Sequence, residues 1–150
     1  MLEYPFATDE QKELANMARS ILEKELAPRL HDLEQANDGK GEFPLDVFKT
    51  LAEAGYTGML VPEKYGGLGF DNVTKCLIYE EMSKVDASTG ITLSVHTSLC
   101  ASTIEEFGTE EQKQKWLRPL ADGSKICCFG LTEPGAGSDV AGARTVAIKD

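Results

Sequence analysis

Cys128-Phe-Gly-Leu-Thr-Glu-Pro-Gly-Ala-Gly-Ser-Asp-Val-Ala-Gly142 is the stretch at which the grammar of the chain changes. Entering it, Ile126, Cys127, Cys128, Phe129, Gly130 and Leu131 form a short apolar run, the pattern of a buried strand. Leaving it, Thr145 to Lys149 alternate polar and apolar, as a half-buried second strand would. Between them, Gly135 and Gly137 permit backbone conformations closed to other residues and let a ligand approach the main chain, while Pro134 stiffens the loop. Exposed N–H groups and hydroxyls here can hold an anion or a flat heterocycle. The same glycines can equally serve only to turn the chain. The loop is not a Walker A loop, because Ala136 stands where GxxxxGK(S/T) counted from Gly130 requires lysine. Nor is it GxGxxG, since Val140 occupies the place of the last glycine.

Most of the chain before Lys125 reads as helix. Thr8 with Gln11 has the form of a capping box, followed by Leu14, Met17, Ala18, Ile21 and Leu22 at helical spacing. Pro28 ends or kinks this helix near Leu26, with a further turn through Leu30 and Leu33 and a reversal over Asn37 to Glu42. Pro44 opens a second helix whose apolar face is Leu45, Phe48, Leu51 and Ala52, stopped by Gly55. Gly55 to Phe70 holds five glycines and Pro62 and reads as an irregular surface crossing. Asp71 caps a third helix carrying Val73, Leu77, Ile78, Met82 and Val85. The hydroxyl-rich run to Phe107 has no charged face before Glu105 and reads as a helix buried on nearly all sides. Thr109 with Gln112 repeats the capping box ahead of Trp116, Leu117 and Leu120, and Ala121 to Ser124 ends that helix. The pattern therefore divides the chain into a helical domain, 1–125, and the start of a β domain, 126–150. Two strands alone do not make a stable sheet.

Composition narrows the function classes. The 150 residues hold 25 acidic and 15 basic side chains, a net charge of −10, with no basic stripe to neutralise phosphates, which argues against nucleic-acid binding. Ala87 to Ile104 is free of charged residues over 18 positions, but eight are Ser or Thr, so a membrane span is not expected. Cys76, Cys100, Cys127 and Cys128 form no CxxC pair, and His31 and His96 lack ligand spacing; buried free thiols are expected, with no metal. Met1 to Glu10 has neither a basic n-region nor an apolar h-region, and a cytoplasmic location is expected. Glu80 with Glu81, and Glu105 with Glu106, read as solvated helix edges. His96 reads as a satisfied core or surface histidine, and Trp116 as packing.

The stretch from Cys128 to Gly142 resembles the flavin-loop signature of the acyl-CoA dehydrogenase family. Pro62-Glu-Lys-Tyr-Gly-Gly-Leu-Gly69 resembles that family's early loop, and Phe107-Gly-Thr-Glu-Glu-Gln-Lys-Gln-Lys-Trp-Leu-Arg-Pro-Leu-Ala-Asp-Gly123 its last helix of the N-terminal domain. The matches fall in the family's order along the whole chain. Gly90-Ile-Thr-Leu-Ser-Val-His-Thr-Ser-Leu-Cys100 resembles the short-chain, butyryl-CoA type more than the medium-chain type.

The resemblance implies a mainly α fold, the family's N-terminal helical domain followed by the first strands of an incomplete β-barrel domain. It implies an FAD flavoprotein oxidoreductase of fatty acid β-oxidation that removes hydrogens from the α and β carbons of a short-chain acyl-CoA, giving the trans-2-enoyl-CoA. Phe129, Leu131 and Thr132 match positions that touch the isoalloxazine, and the Thr132 hydroxyl matches a hydrogen bond to its pyrimidine edge. Gly137 and Ser138 match positions near the pyrophosphate, and Ser138 also a contact to acyl-CoA. The helix through Gly90 to Phe107 would help close the end of the acyl pocket. The family's catalytic base is a glutamate of a C-terminal helical domain, so no catalytic residue falls in this chain, which alone is expected to be inactive. A homotetramer and an electron-transfer flavoprotein as electron acceptor are the implied partners. Branched-chain or glutaryl-type dehydrogenation, or a non-catalytic helical interaction module, stand as alternatives.

Overall fold

A computed structural model describes residues 4–149. The Met1 to Glu3 part of the N-terminal reading, and Asp150, lie outside the described residues. The fold is mainly α. Helix α1 (Asp9–Glu25) begins at the expected capping box: the Gln11 N–H donates to Thr8 Oγ1 (3.2 Å) and the Thr8 N–H to Gln11 Oε1 (3.0 Å). A 3₁₀ turn at Ala27–Arg29 accommodates Pro28 and leads into α2 (Leu30–Gly39). The helical backbone of α2 breaks at Ala36, and Asn37 and Asp38 take the left-handed conformation that reverses the chain. Helix α3 (Leu45–Glu53) follows, and Gly55 stops it at φ +87°.

Helix α4 (Asn72–Ser83) is capped by Asp71, whose carboxylate accepts the Thr74 N–H at 2.8 Å. That bond, the largest influence on the carboxyl, holds Asp71 below the usual carboxylate range. Asp86 caps α5 (Ala87–Ser94) in the same way. The axis continues through seven residues of wider π-helix, Val95–Ala101, into α6 (Ser102–Phe107). Helix α7 (Glu110–Ala121) starts at the second capping box, Thr109 with Gln112.

Helix α4 packs against both α1 and α5, and their facing side chains make much of the main core. Leu22, Leu51, Met59, Ile78, Met82 and Leu93 are at most 1% exposed there. A second core, around Tyr65, Val61, Leu117 and Leu120, joins α7 to the segment after α3.

Several expectations are corrected. Met17, Leu45, Val73 and Trp116 keep the helical period but stand at the edge of the buried stripe, 40–51% exposed, while Ala15 and Val47 turn inward instead. Trp116 lies under Lys115, whose Nζ is 4.8 Å from the ring centroid. The hydroxyl-rich helix is buried on one face only; Ile91 and Phe107 are well exposed. Glu81 is not solvated: it is buried at the α1–α4 contact and paired with Arg19 (3.3 Å) and Lys84. Burial opposes its charge, yet these two cations keep its carboxyl below the usual range. Of the four thiols only Cys100 is buried; Cys127 is half-buried and Cys76 and Cys128 are exposed.

The largest corrections concern the two irregular segments. Gly55 to Phe70 is surface only in part: Tyr56, Thr57, Met59, Val61 and Tyr65 are all at most 2% exposed, while Glu63, Lys64, Gly66, Leu68 and Gly69 stay exposed. Two 3₁₀ turns, Tyr56–Gly58 and Glu63–Tyr65, together with the N–H groups of Leu68, Gly69 and Phe70 donating to the carbonyls of Gly58, Val61 and Met59, supply its internal hydrogen bonds, and the Thr57 hydroxyl donates to the Ala121 carbonyl at 2.8 Å. At the other end, the expected strands over 126–131 and 145–149 do not form; among the described residues the only pairing is an isolated antiparallel bridge between Glu133 and Ala136. A strand exists through the ladder it shares, and neither segment meets a partner here.

Candidate functional site

The segment from Lys125 onward leaves the helical body at two defined ties. The Lys125 N–H donates to the Pro119 carbonyl (2.9 Å), and the Cys127 N–H donates to His96 Nδ1 (3.3 Å). Because Nδ1 accepts, the proton sits on Nε2, which donates to the Leu120 carbonyl at 3.0 Å. His96 is wholly buried, with Phe48 edge-on at 5.4 Å between ring centroids. Burial lowers its proton affinity, with the Leu120 carbonyl acting in the opposite sense. It is a satisfied core histidine, as expected. Cys100 and Cys127 lie beside one another, and burial first, then this neighbour, pushes the Cys100 thiol up to about 12. A thiol so protonated is a poor nucleophile.

Beyond Cys127 the chain runs exposed, without regular secondary structure, through Phe129, Leu131 and Thr132, with Phe129 45% and Leu131 48% accessible. It then folds back tightly. Glu133 N–H donates to the Ala136 carbonyl (2.9 Å) and Ala136 N–H to the Glu133 carbonyl (3.2 Å), placing Pro134 and Gly135 at the tip. The Glu133 carboxylate also accepts the N–H groups of Arg144 and Thr145, each at 2.8 Å, which closes the loop across a dozen residues. The Thr145 hydroxyl first, then these amides, hold that carboxyl below the usual glutamate range. A 3₁₀ turn at Val140–Gly142 completes the return.

The five site residues expected from sequence thus fall on one surface segment. Phe129, Leu131 and Thr132 lie on the arm entering the turn, Gly137 and Ser138 on the arm leaving it, and all are exposed. A Cβ built on Gly130, Gly135 or Gly137 meets nothing within 4 Å. Open backbone, two apolar side chains and two hydroxyls form a donor set suited to a flat heterocycle bearing an anionic tail. Two residues escaped the sequence reading as supports of this loop, His96 and the Glu133 carboxylate. Both act on backbone amides, which leave no trace in side-chain periodicity. Among the described residues no group of three His, Cys, Asp or Glu is placed to hold a metal, and no helix is long and apolar enough to cross a membrane.

A helical domain with a braced, glycine-rich, exposed loop at its exit is the class that fold and geometry define. The chain belongs to the acyl-CoA dehydrogenase family: residues 8–124 match the family's N-terminal domain. It is 44% identical over 141 residues to the short-chain-specific acyl-CoA dehydrogenase of Clostridium acetobutylicum, covering 94% of this chain and 36% of that protein. Among solved structures it is similar to butyryl-CoA dehydrogenase from Megasphaera elsdenii, with TM-score 0.81, 43% identity, and coverage of 93% of this chain and 36% of that one. It is also similar to an acyl-CoA dehydrogenase complexed with FAD from Bacillus anthracis, with TM-score 0.81, 38% identity, and coverage of 92% and 23%. The chain spans about a third or less of the length of these relatives.

Proposed function

We propose that the chain supplies the N-terminal domain and flavin loop of an FAD-dependent acyl-CoA dehydrogenase of the short-chain, butyryl-CoA type. The observation that carries this reading is the 129–138 loop, exposed and braced at both ends, in a chain whose helical body belongs to the family. Its boundary is taken at 125/126, where the helical body ends and the first strands of a β domain would begin once paired.

Bound FAD would supply the acceptor for the hydride that leaves the β carbon of the acyl-CoA thioester as the α proton is removed, giving the trans-2-enoyl-CoA. Phe129 and Leu131 would hold the flat ring system and exclude water from its face. The Thr132 hydroxyl would donate to the pyrimidine edge, where negative charge gathers on reduction, so its dipole favours the reduced state. Gly137 lets the main chain approach the pyrophosphate, and Ser138 would donate to that group or to the acyl-CoA. The α proton would go to a glutamate outside these residues. A tetrameric assembly, an electron-transfer flavoprotein as acceptor and a cytoplasmic location complete the proposal.

The test is the anaerobic flavin spectrum of the full-length protein carrying this chain, before and after addition of butyryl-CoA. Prompt bleaching supports the reading. Flavin that stays oxidised with butyryl-CoA overturns the short-chain assignment, and a protein without affinity for FAD overturns the flavoenzyme reading.

A further inference from the structure

His96 is an expensive choice for a core position. A fully buried imidazole gives up its hydration at two nitrogens, a cost that an apolar side chain of similar size avoids. Both nitrogens are repaid here by main-chain groups of different elements: Nε2–H by the Leu120 carbonyl at the end of α7, and Nδ1 by the Cys127 N–H. The ring itself stands in the π-helical stretch and rests edge-on against Phe48. One side chain therefore joins the α5–α6 axis, α7 and the first residues of the exposed loop. Downstream of Cys127 the next described backbone tie is the Glu133–Ala136 turn, so Phe129, Leu131 and Thr132 are strung between these two points.

We propose that His96 is a positioning residue that sets the root of the 127–138 loop through its Nδ1 bond to the Cys127 amide. The consequence for flavin binding rests on the function proposed above; the tether itself does not. A proton added at Nδ1 would replace the acceptor by a donor facing the Cys127 N–H, so the tether requires the neutral ring.

The two ring nitrogens can be separated by substitution. His96→Asn places an amide oxygen where Nδ1 stands and loses the bond to Leu120. His96→Gln places an amide nitrogen where Nε2 stands and loses the bond to Cys127. Both shrink the ring's volume, so urea unfolding of each serves as the control for packing. In the full-length protein, His96→Gln is expected to speed hydrogen exchange at the Cys127 amide roughly tenfold, the size a lost buried hydrogen bond produces. It should weaken FAD binding by a similar factor and shift the flavin absorption band, while His96→Asn stays near wild type in all three. Variants that lose stability but keep the same Cys127 exchange, or that exchange alike, overturn the tether. Split exchange rates with unchanged flavin affinity and spectrum overturn its role in the loop's function. A wild-type protein that binds no FAD defeats the proposed function, and the exchange rates still decide the tether.

Discussion

Gly58 and Gly67 lie in one glycine-rich segment, Gly135 and Gly137 in another, and a methyl group added to each pair would meet opposite surroundings. On Gly67 it would sit 2.0 Å from the Val61 carbonyl oxygen, and on Gly58 2.9 Å from Ala121. On Gly135 or Gly137 it would meet nothing within 4 Å. At Gly58 and Gly67 glycine is required because other residues already fill that space. In the second segment it leaves main chain uncovered. The same composition thus serves a packed core in one place and an open, braced loop in the other.

The sharpest way to break this contrast is Gly67→Ala. Backbone must move to relieve the overlap with Val61, and a cost of about 3 kcal/mol or more is expected, seen as a large fall in the urea midpoint. Midpoints within experimental scatter of wild type would show that the first segment yields as the second does. Next in size is Thr57→Val, which strands the buried Ala121 carbonyl without its hydroxyl donor. It should cost about 1–2 kcal/mol by the same measurement.

Glu133→Gln probes the open loop, where the effect is expected in local opening and not in the global transition. The Glu133 carboxyl is held below the ordinary glutamate value of 4.5, so its closure of the loop is complete above that value and is lost as the pH falls through the lowered one. Exchange of the Arg144 and Thr145 amides, corrected for intrinsic rates, should therefore rise on acidification in wild type. In the variant it should be fast throughout. Equal exchange profiles would remove the brace from the account. Smallest of all is Gly135→Ala, expected to change stability by no more than about 0.5 kcal/mol in thermal unfolding. A cooperative loss there would mean that the loop tip is packed after all.

Local signals were the legible part of the fold. Thr8, Asp71 and Thr109 announce helix starts because a cap and the amide it satisfies lie within three residues, and the structure has all three. Which side of a helix faces inward is less local, and Met17 and Trp116 sit at an edge that only the neighbouring elements define. The run from Ile126 to Leu131 has the composition of a strand, but composition cannot provide the ladder partner. The buried residues of segment 55–70 were not legible for a related reason: glycine density looks alike whether the space beside it is filled or empty. For the candidate site, the loop itself stood out by its residues. Its supports did not, since His96 and Glu133 grip main-chain amides 31 and 11–12 positions away.

The π-helical stretch Val95–Ala101 has a consequence for how this chain tolerates insertions and deletions. A π turn accommodates one residue more than an α turn, so the stretch absorbs an extra residue without turning α6 relative to α5. Removing a single residue there would return the axis to the α pitch and leave the downstream side chains in phase, whereas removing one from the α turns of α5 would rotate them by about 100° relative to those upstream. After such a deletion in α5, Ala101 and Ile104 would swing off the second core together, although no residue of that core had been altered. Length, and not only chemistry, is therefore under constraint in the α turns before the π-helical stretch.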